Sequence, residues 1–150
     1  AVGQVLAPGG NARYVGPVKP ATEVHTSTIA QRAVYETVKD GFLNEHIPTI
    51  RALYHKQAQA MLNALSDNMP AGVKWNQPAG GMFLWLELPT GVNSEDMLKK
   101  ALAQNVAYVP GTPFYANEPQ INTLRLAFVT VPEDRIRAGV QILGEVFSQA

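Results

Sequence analysis

The chain has 150 residues, of which 46% are apolar and 16% charged, so it is long enough for one domain with a core and too apolar to stay disordered. Lys+Arg and Asp+Glu number 12 each, which leaves no basic footprint for nucleic acid or for an anionic membrane. Cysteine is absent, His25, His46 and His55 lie too far apart for metal-ligand spacing, and no apolar run reaches membrane-span length; disulfides, thiolate metal sites and spanning helices are excluded.

Residues 1–20 carry "APGGNARYVGPVKP", Gly/Pro-rich loop chemistry with one short strand around Arg13 to Val15. They have little to pack and look like the tail of a preceding element. From Ser27 the pattern turns helical. Ala30, Val34, Val38 and Phe42 recur every four residues, Thr26, Ser27 and Thr28 offer N-cap oxygens, and Asp40-Gly41 offers a stop. A second, longer helix carries Ile47, Ile50, Leu53, Tyr54, Met61 and Leu65 on one stripe. Pro48 fits only a first turn, which places its start near Asn44 or Glu45. "SDNMPAG" ends it.

Beyond it, strands and helices mix. Val73 to Trp75 and Met82 to Glu87 read as strands. Ser94 is the expected N-cap of a helix to about Gln104, and Val106 to Val109 a short strand stopped by Pro110-Gly111. Thr123 to Val129 is a further strand. The last helix runs from Pro132 to Phe147, buries Ile136, Val140, Leu143 and Phe147, and pairs Glu133 with Arg137 one turn on. The expected class is α+β: a small, mostly antiparallel sheet covered by helices on one face.

The strand "NTLRLAFV" holds a charge among apolar residues. Side chains alternate, so Leu124, Leu126 and Phe128 face the core and Thr123, Arg125, Ala127 and Val129 the other side. Two readings stand. Arg125 is an ordinary surface residue on a wet face, or it floors a pocket and holds a small-molecule carboxylate through two parallel hydrogen bonds.

Three stretches in order, "QPAGGMFLWLELP", "NVAYVPGTPFYAN" and "NTLRLAFV", resemble the C-terminal part of class I/II, fold-type-I aminotransferases dependent on pyridoxal 5'-phosphate. The group most resembled acts on 2-aminoadipate, aromatic or branched-chain amino acids and includes MocR-type regulators. "HTSTIAQ" and "EHIPTIRALYHKQAQAMLNAL" are similar to the long helices preceding that domain. The resemblance implies three parts: 1–20 as a remnant of the large cofactor-binding domain or a linker, 21–70 as interdomain helices, and 71–150 as the C-terminal small domain. It implies that Arg125 grips the substrate α-carboxylate. Gly111 would let backbone approach in a loop at the substrate entrance, and Phe114 would line its wall; plain packing of Phe114 is the alternative. Gly80-Gly81 matches a turn entering a core strand, and Trp85 and Tyr108 read as core.

The family's chemistry needs a lysine that forms a Schiff base with the cofactor. In the family it precedes Ala-Pro-Gly. Anchored on Ala7-Pro8-Gly9, the lysine position here holds Gln4, and the position of the arginine on the cofactor phosphate holds Asn11, with Arg13 two residues on. The implied catalytic set is therefore empty. Pyridoxal phosphate is expected by resemblance, without a covalent bond to this chain. The ligand would be an α-amino or 2-oxo acid, the setting cytoplasmic, and the partner a second copy or a missing large domain, with neither nucleic acid nor membrane. Three function classes follow: part of a transaminase, incomplete as it stands; a non-catalytic carboxylate-binding or dimerisation module; or a purely structural domain with an unused pocket.

Overall fold

The computed structural model describes residues 27–149. The chain divides into two compact units, with the boundary between Thr49 and Ile50. The first contains α1 (Thr28–Val38) and the beginning of α2 (Phe42–Asn68). Ser27 occupies the N-cap of α1, but its side chain makes no capping bond; Thr26 lies outside the described residues. Gly41, at φ +86°, makes the turn that L side chains resist. Glu36 pairs with Arg32 at 3.6 Å and with Lys39. The expected apolar face exists as a pattern yet is not a core: no residue of α1 is buried, and Val34 and Phe42 are each 47% exposed.

The start of α2 differs from the expectation. The helix begins at Phe42, so Pro48 falls in its second turn and not its first. Proline cannot donate to the carbonyl four residues back, here that of Asn44. Both residues are exposed, so water can serve that carbonyl. The buried stripe also differs. Ile47 and Leu53 are exposed, and packing against the core starts only at Tyr54. From there Gln57, Ala60, Met61, Ala64 and Leu65 are buried, a helix face with 3–4 spacing.

The second unit holds an antiparallel sheet of β1 (Lys74–Trp75), β2 (Phe83–Glu87), β3 (Val109–Pro110) and β4 (Thr123–Ala127), in the order β1-β2-β4-β3. Leu84 and Leu86 of β2 pair across with Leu126 and Leu124 of β4, and all four are buried. Against them pack Met61 and Leu65 of α2, Met97 and Ala101 of α3 (Ser94–Ala103), and Ile136, Val140, Leu143 and Phe147 of α4 (Glu133–Phe147). The α+β expectation therefore holds, with an antiparallel sheet and one shared core. The pairing of Glu133 with Arg137 is present at 3.1 Å.

Three local expectations are corrected. The N-cap of α3 is Asn93, whose Oδ1 accepts the Glu95 N–H at 2.8 Å; Ser94 is instead fully buried, its N–H donating to the Ile121 carbonyl. Strand β3 is only Val109–Pro110, so Val106 to Tyr108 stand outside the ladder. Trp85 is not core: it is half-buried on the opposite sheet face, in register with Arg125.

Candidate functional site

The face of the sheet away from the Leu core is where Arg125 sits. Its strand shows the expected alternation, with Leu124 and Leu126 buried and Arg125 half-buried between them. In the ladder Arg125 lies between Trp85 on β2 and Val109 on β3. Phe83 projects from the same face of β2, two residues from Trp85. The period of two in "FLWLE" carries that information: once Leu84 and Leu86 are core, Phe83 and Trp85 must join Arg125. Sequence reasoning singled out Arg125 and Phe114 but passed over Phe83 and Tyr115 in this group.

A short 3₁₀ turn, Thr112–Phe114, follows β3 and folds over this face. It brings Phe114 to Arg125. The guanidinium carbon lies 4.1 Å from the Phe83 ring centroid and 4.8 Å from that of Phe114. Phe114 meets Trp85 edge-on at 5.6 Å, and Tyr115 tilts against Trp85 at 6.2 Å. Tyr115 in turn donates its hydroxyl to Gln120 Oε1 at 3.2 Å. Among the described residues none of the ion pairs involves Arg125. The group thus combines one cation with aromatic walls and no internal carboxylate to neutralise it. Chemically this can hold an anion, and a carboxylate fits the fork of the guanidinium best.

Arg125 also borders a cavity of about 510 Å³, together with Tyr108, Val109, Ala127, Thr130 and Arg135. Residues 105–108, which leave the ladder before β3, form part of its wall, as do α4 residues including Ala138 and Gly139. Gly111 follows β3 and is not among the residues that line this cavity. Its N–H donates to the Thr123 carbonyl at 2.7 Å, and a Cβ on it would overlap Thr123 Oγ1. Its observed part is therefore close strand packing, which buries Thr123. Tyr108 is buried and donates its hydroxyl to the Ser94 carbonyl at 2.6 Å; burial raises its pKa above the ordinary tyrosine value. Gln4, Asn11 and Arg13 lie outside the described residues. Among the described residues no His, Asp and Glu cluster could hold a metal ion, and no helix is long and apolar enough to cross a membrane.

A four-stranded antiparallel sheet with helices on one face and a cation among aromatics on the other defines a small α+β domain. The family described as aminotransferase class I and II matches residues 17–143, and the chain belongs to that family. It is 44% identical to a 2-aminoadipate transaminase of Thermus thermophilus over 84% of this chain and 32% of that protein. It is 41% identical to aromatic-amino-acid aminotransferase 1 of Thermococcus litoralis, over 97% of this chain and 37% of the relative. The solved kynurenine aminotransferase of Pyrococcus horikoshii superposes with a TM-score of 0.80 at 42% identity, covering 94% of this chain and 35% of that one. Bacterial HTH-type transcriptional regulators match more distantly, at 24–26% identity. The chain spans about a third of the length of the relatives it matches.

The family is one of pyridoxal-phosphate enzymes, which need a lysine amine for the cofactor aldehyde. The lysines among the described residues are Lys39, Lys56, Lys74, Lys99 and Lys100, and all are exposed. None lies on β2, β3 or β4 or borders the cavity beside Arg125. Among the described residues, then, the guanidinium of Arg125 can take a carboxylate, and no lysine lies beside it.

Proposed function

We propose that this chain is the C-terminal, substrate-carboxylate arm of a pyridoxal-phosphate-dependent aminotransferase that moves amino groups between an α-amino acid and a 2-oxo acid. One observation carries the reading: Arg125 is half-buried against aromatic rings, with no ion pair among the described residues. Two in-plane N–H groups of Arg125 donate to the two oxygens of the α-carboxylate, each bond contributing about 1.5–3 kcal/mol. That fixes the neighbouring Cα, the atom whose bonds the family's chemistry changes. Phe114 forms part of the wall, and Gly111 keeps its loop close to the sheet. In this reading 71–150 is the small domain, 21–70 supplies the helices leading to it, and 1–20 belongs to the cofactor-binding part.

Gln4 stands at the position matched to the Schiff-base lysine, and an amide cannot form an imine. Asn11, or Arg13 in a shifted register, takes the place of the phosphate-binding arginine. The chain by itself therefore does not transaminate, and the cofactor is not bound to it covalently. A cytoplasmic setting accords with amino-acid metabolism.

A second reading, a non-catalytic module that binds carboxylates or dimerises, is favoured by the exposed apolar side chains of the first unit. Ile29 is 83% exposed and Tyr35 58%, and Phe42, Leu43 and Ile47 are exposed as well. Reburying such a face favours self-association.

Titration of the chain with L-2-aminoadipate, L-phenylalanine and their 2-oxo acids by calorimetry tests the first reading. Saturable binding that weakens at least about tenfold in Arg125→Ala is expected from the loss of a charge-assisted pair. Equal affinity in both proteins would refute it and leave only assembly.

A further inference from the structure

We infer that Phe83 and Phe114 are positioning residues for Arg125, holding its guanidinium by ring contact so that its N–H groups stay available to a ligand carboxylate. The inference rests on the carboxylate role proposed above. An arginine side chain has many rotamers, and each carboxylate bond must overcome the entropy of fixing it. The common way to fix an arginine is an ion pair with Asp or Glu. Such a partner would neutralise the cation and occupy the same N–H fork that the ligand needs. A ring face attracts the charge but offers no conventional acceptor, so it restrains the group without consuming its donors.

The geometry matches that solution. Two rings lie within 5 Å of the guanidinium carbon, at 4.1 Å for Phe83 and 4.8 Å for Phe114. They come from different elements. Phe83 is set by the β2–β4 register, which pairs it with Ala127, one step along the face from Arg125. Phe114 is set by the 3₁₀ turn, whose Phe114 N–H donates to the Gly111 carbonyl at 2.9 Å. Trp85 braces Phe114 from the side, its ring plane at 83° to that of Phe114. Both phenylalanines remain partly open, at 38% and 50% exposure. Both rings therefore contact the cation while leaving part of their surface open.

The test uses the full 150-residue chain, 3-phenylpropanoate as probe and 3-phenylpropanamide as the uncharged control. Two readouts are taken: probe affinity, and the heteronuclear NOE of the Arg125 Nε–Hε group, which reports how firmly the side chain is held. Phe83→Leu and Phe114→Leu should each weaken the carboxylate about two- to fivefold, as expected for a partly exposed cation–ring contact, and should lower the Arg125 NOE. Phe83→Tyr should keep both. Melting curves verify that the variants fold. Leucine variants with unchanged affinity and an unchanged NOE, alongside an Arg125→Ala chain that no longer binds, would overturn the positioning inference and leave the carboxylate role standing. An Arg125→Ala chain that binds as the wild type does, or a wild-type chain that binds acid and amide alike, would remove the carboxylate role and the inference with it.

Discussion

Gly111 lies so close to Thr123 that a Cβ on the glycine would overlap Thr123 Oγ1 and come within 2.8 Å of Thr123 Cβ. The backbone of Gly111 is ordinary, at φ −77°, so the demand is for space and not for an unusual conformation. Thr123 is 1% exposed and donates its hydroxyl to the Gln120 carbonyl, so it cannot easily move aside. Gly111→Ala should therefore cost about 1–3 kcal/mol, read as a lower urea midpoint. Thr123→Ala in the same chain should recover part of that loss, because it removes one of the overlapping atoms.

Gly144 and Gly139 occupy the same helix and should respond in opposite senses. A Cβ at Gly144 would overlap the carbonyl oxygen of Asn68 at the end of α2, while one at Gly139 meets nothing within 4 Å. Gly139→Ala should stabilise by up to about 1 kcal/mol through helix propensity and a stiffer unfolded chain. Gly144→Ala should destabilise, because packing between α4 and α2 must open. Thermal melts of the two single variants decide the matter.

Tyr108 gives the fold a pH dependence at the alkaline end. Burial raises its pKa above the unfolded value of about 10, so the folded chain keeps the proton that the unfolded chain releases. Its contribution to stability is complete below pH 10 and is lost as pH rises from there toward the folded value. Wild type should lose stability faster above pH 10 than Tyr108→Phe does. Below that pH the variant should be weaker by about 1 kcal/mol, for the lost bond to the Ser94 carbonyl. Urea titrations of both proteins at a series of pH values show whether the curves converge.

Pro48 leaves the carbonyl of Asn44 without its helical donor on an exposed part of α2. Pro48→Ala restores that bond at a site with no packing to disturb. Ellipticity at 222 nm should become more negative, with a local gain of about 1–3 kcal/mol in helix stability. An unchanged spectrum would mean that the helix starts after the proline.

Much of the fold was legible because its signals are periodic. The alternation in "TLRLA" separated Arg125 from the Leu core, and the 3–4 spacing in α4 picked out Ile136, Val140, Leu143 and Phe147. Boundaries were less legible, because they depend on competition among neighbours. Asn93 outcompeted Ser94 as a cap since Ser94 is drawn into the core by its bond to Ile121. Val106 to Tyr108 have strand-forming side chains, but Tyr108 is committed to the Ser94 carbonyl and the ladder begins only at Val109. The surroundings of Arg125 needed tertiary information. Phe83 and Trp85 could be assigned to its face from alternation once β2 was known to pair with β4, whereas nothing local placed Phe114 against it.

The proposed role gives this chain the carboxylate-binding part of an aminotransferase site and not its Schiff-base lysine. The most direct test is an absorption spectrum of the purified chain with one equivalent of pyridoxal phosphate, before and after borohydride, followed by peptide mapping. With Gln4 at the lysine position, the spectrum should be indistinguishable from that of free cofactor, with no pyridoxyl group on any single lysine. A shifted imine band that reduces to an adduct at one lysine would contradict that role.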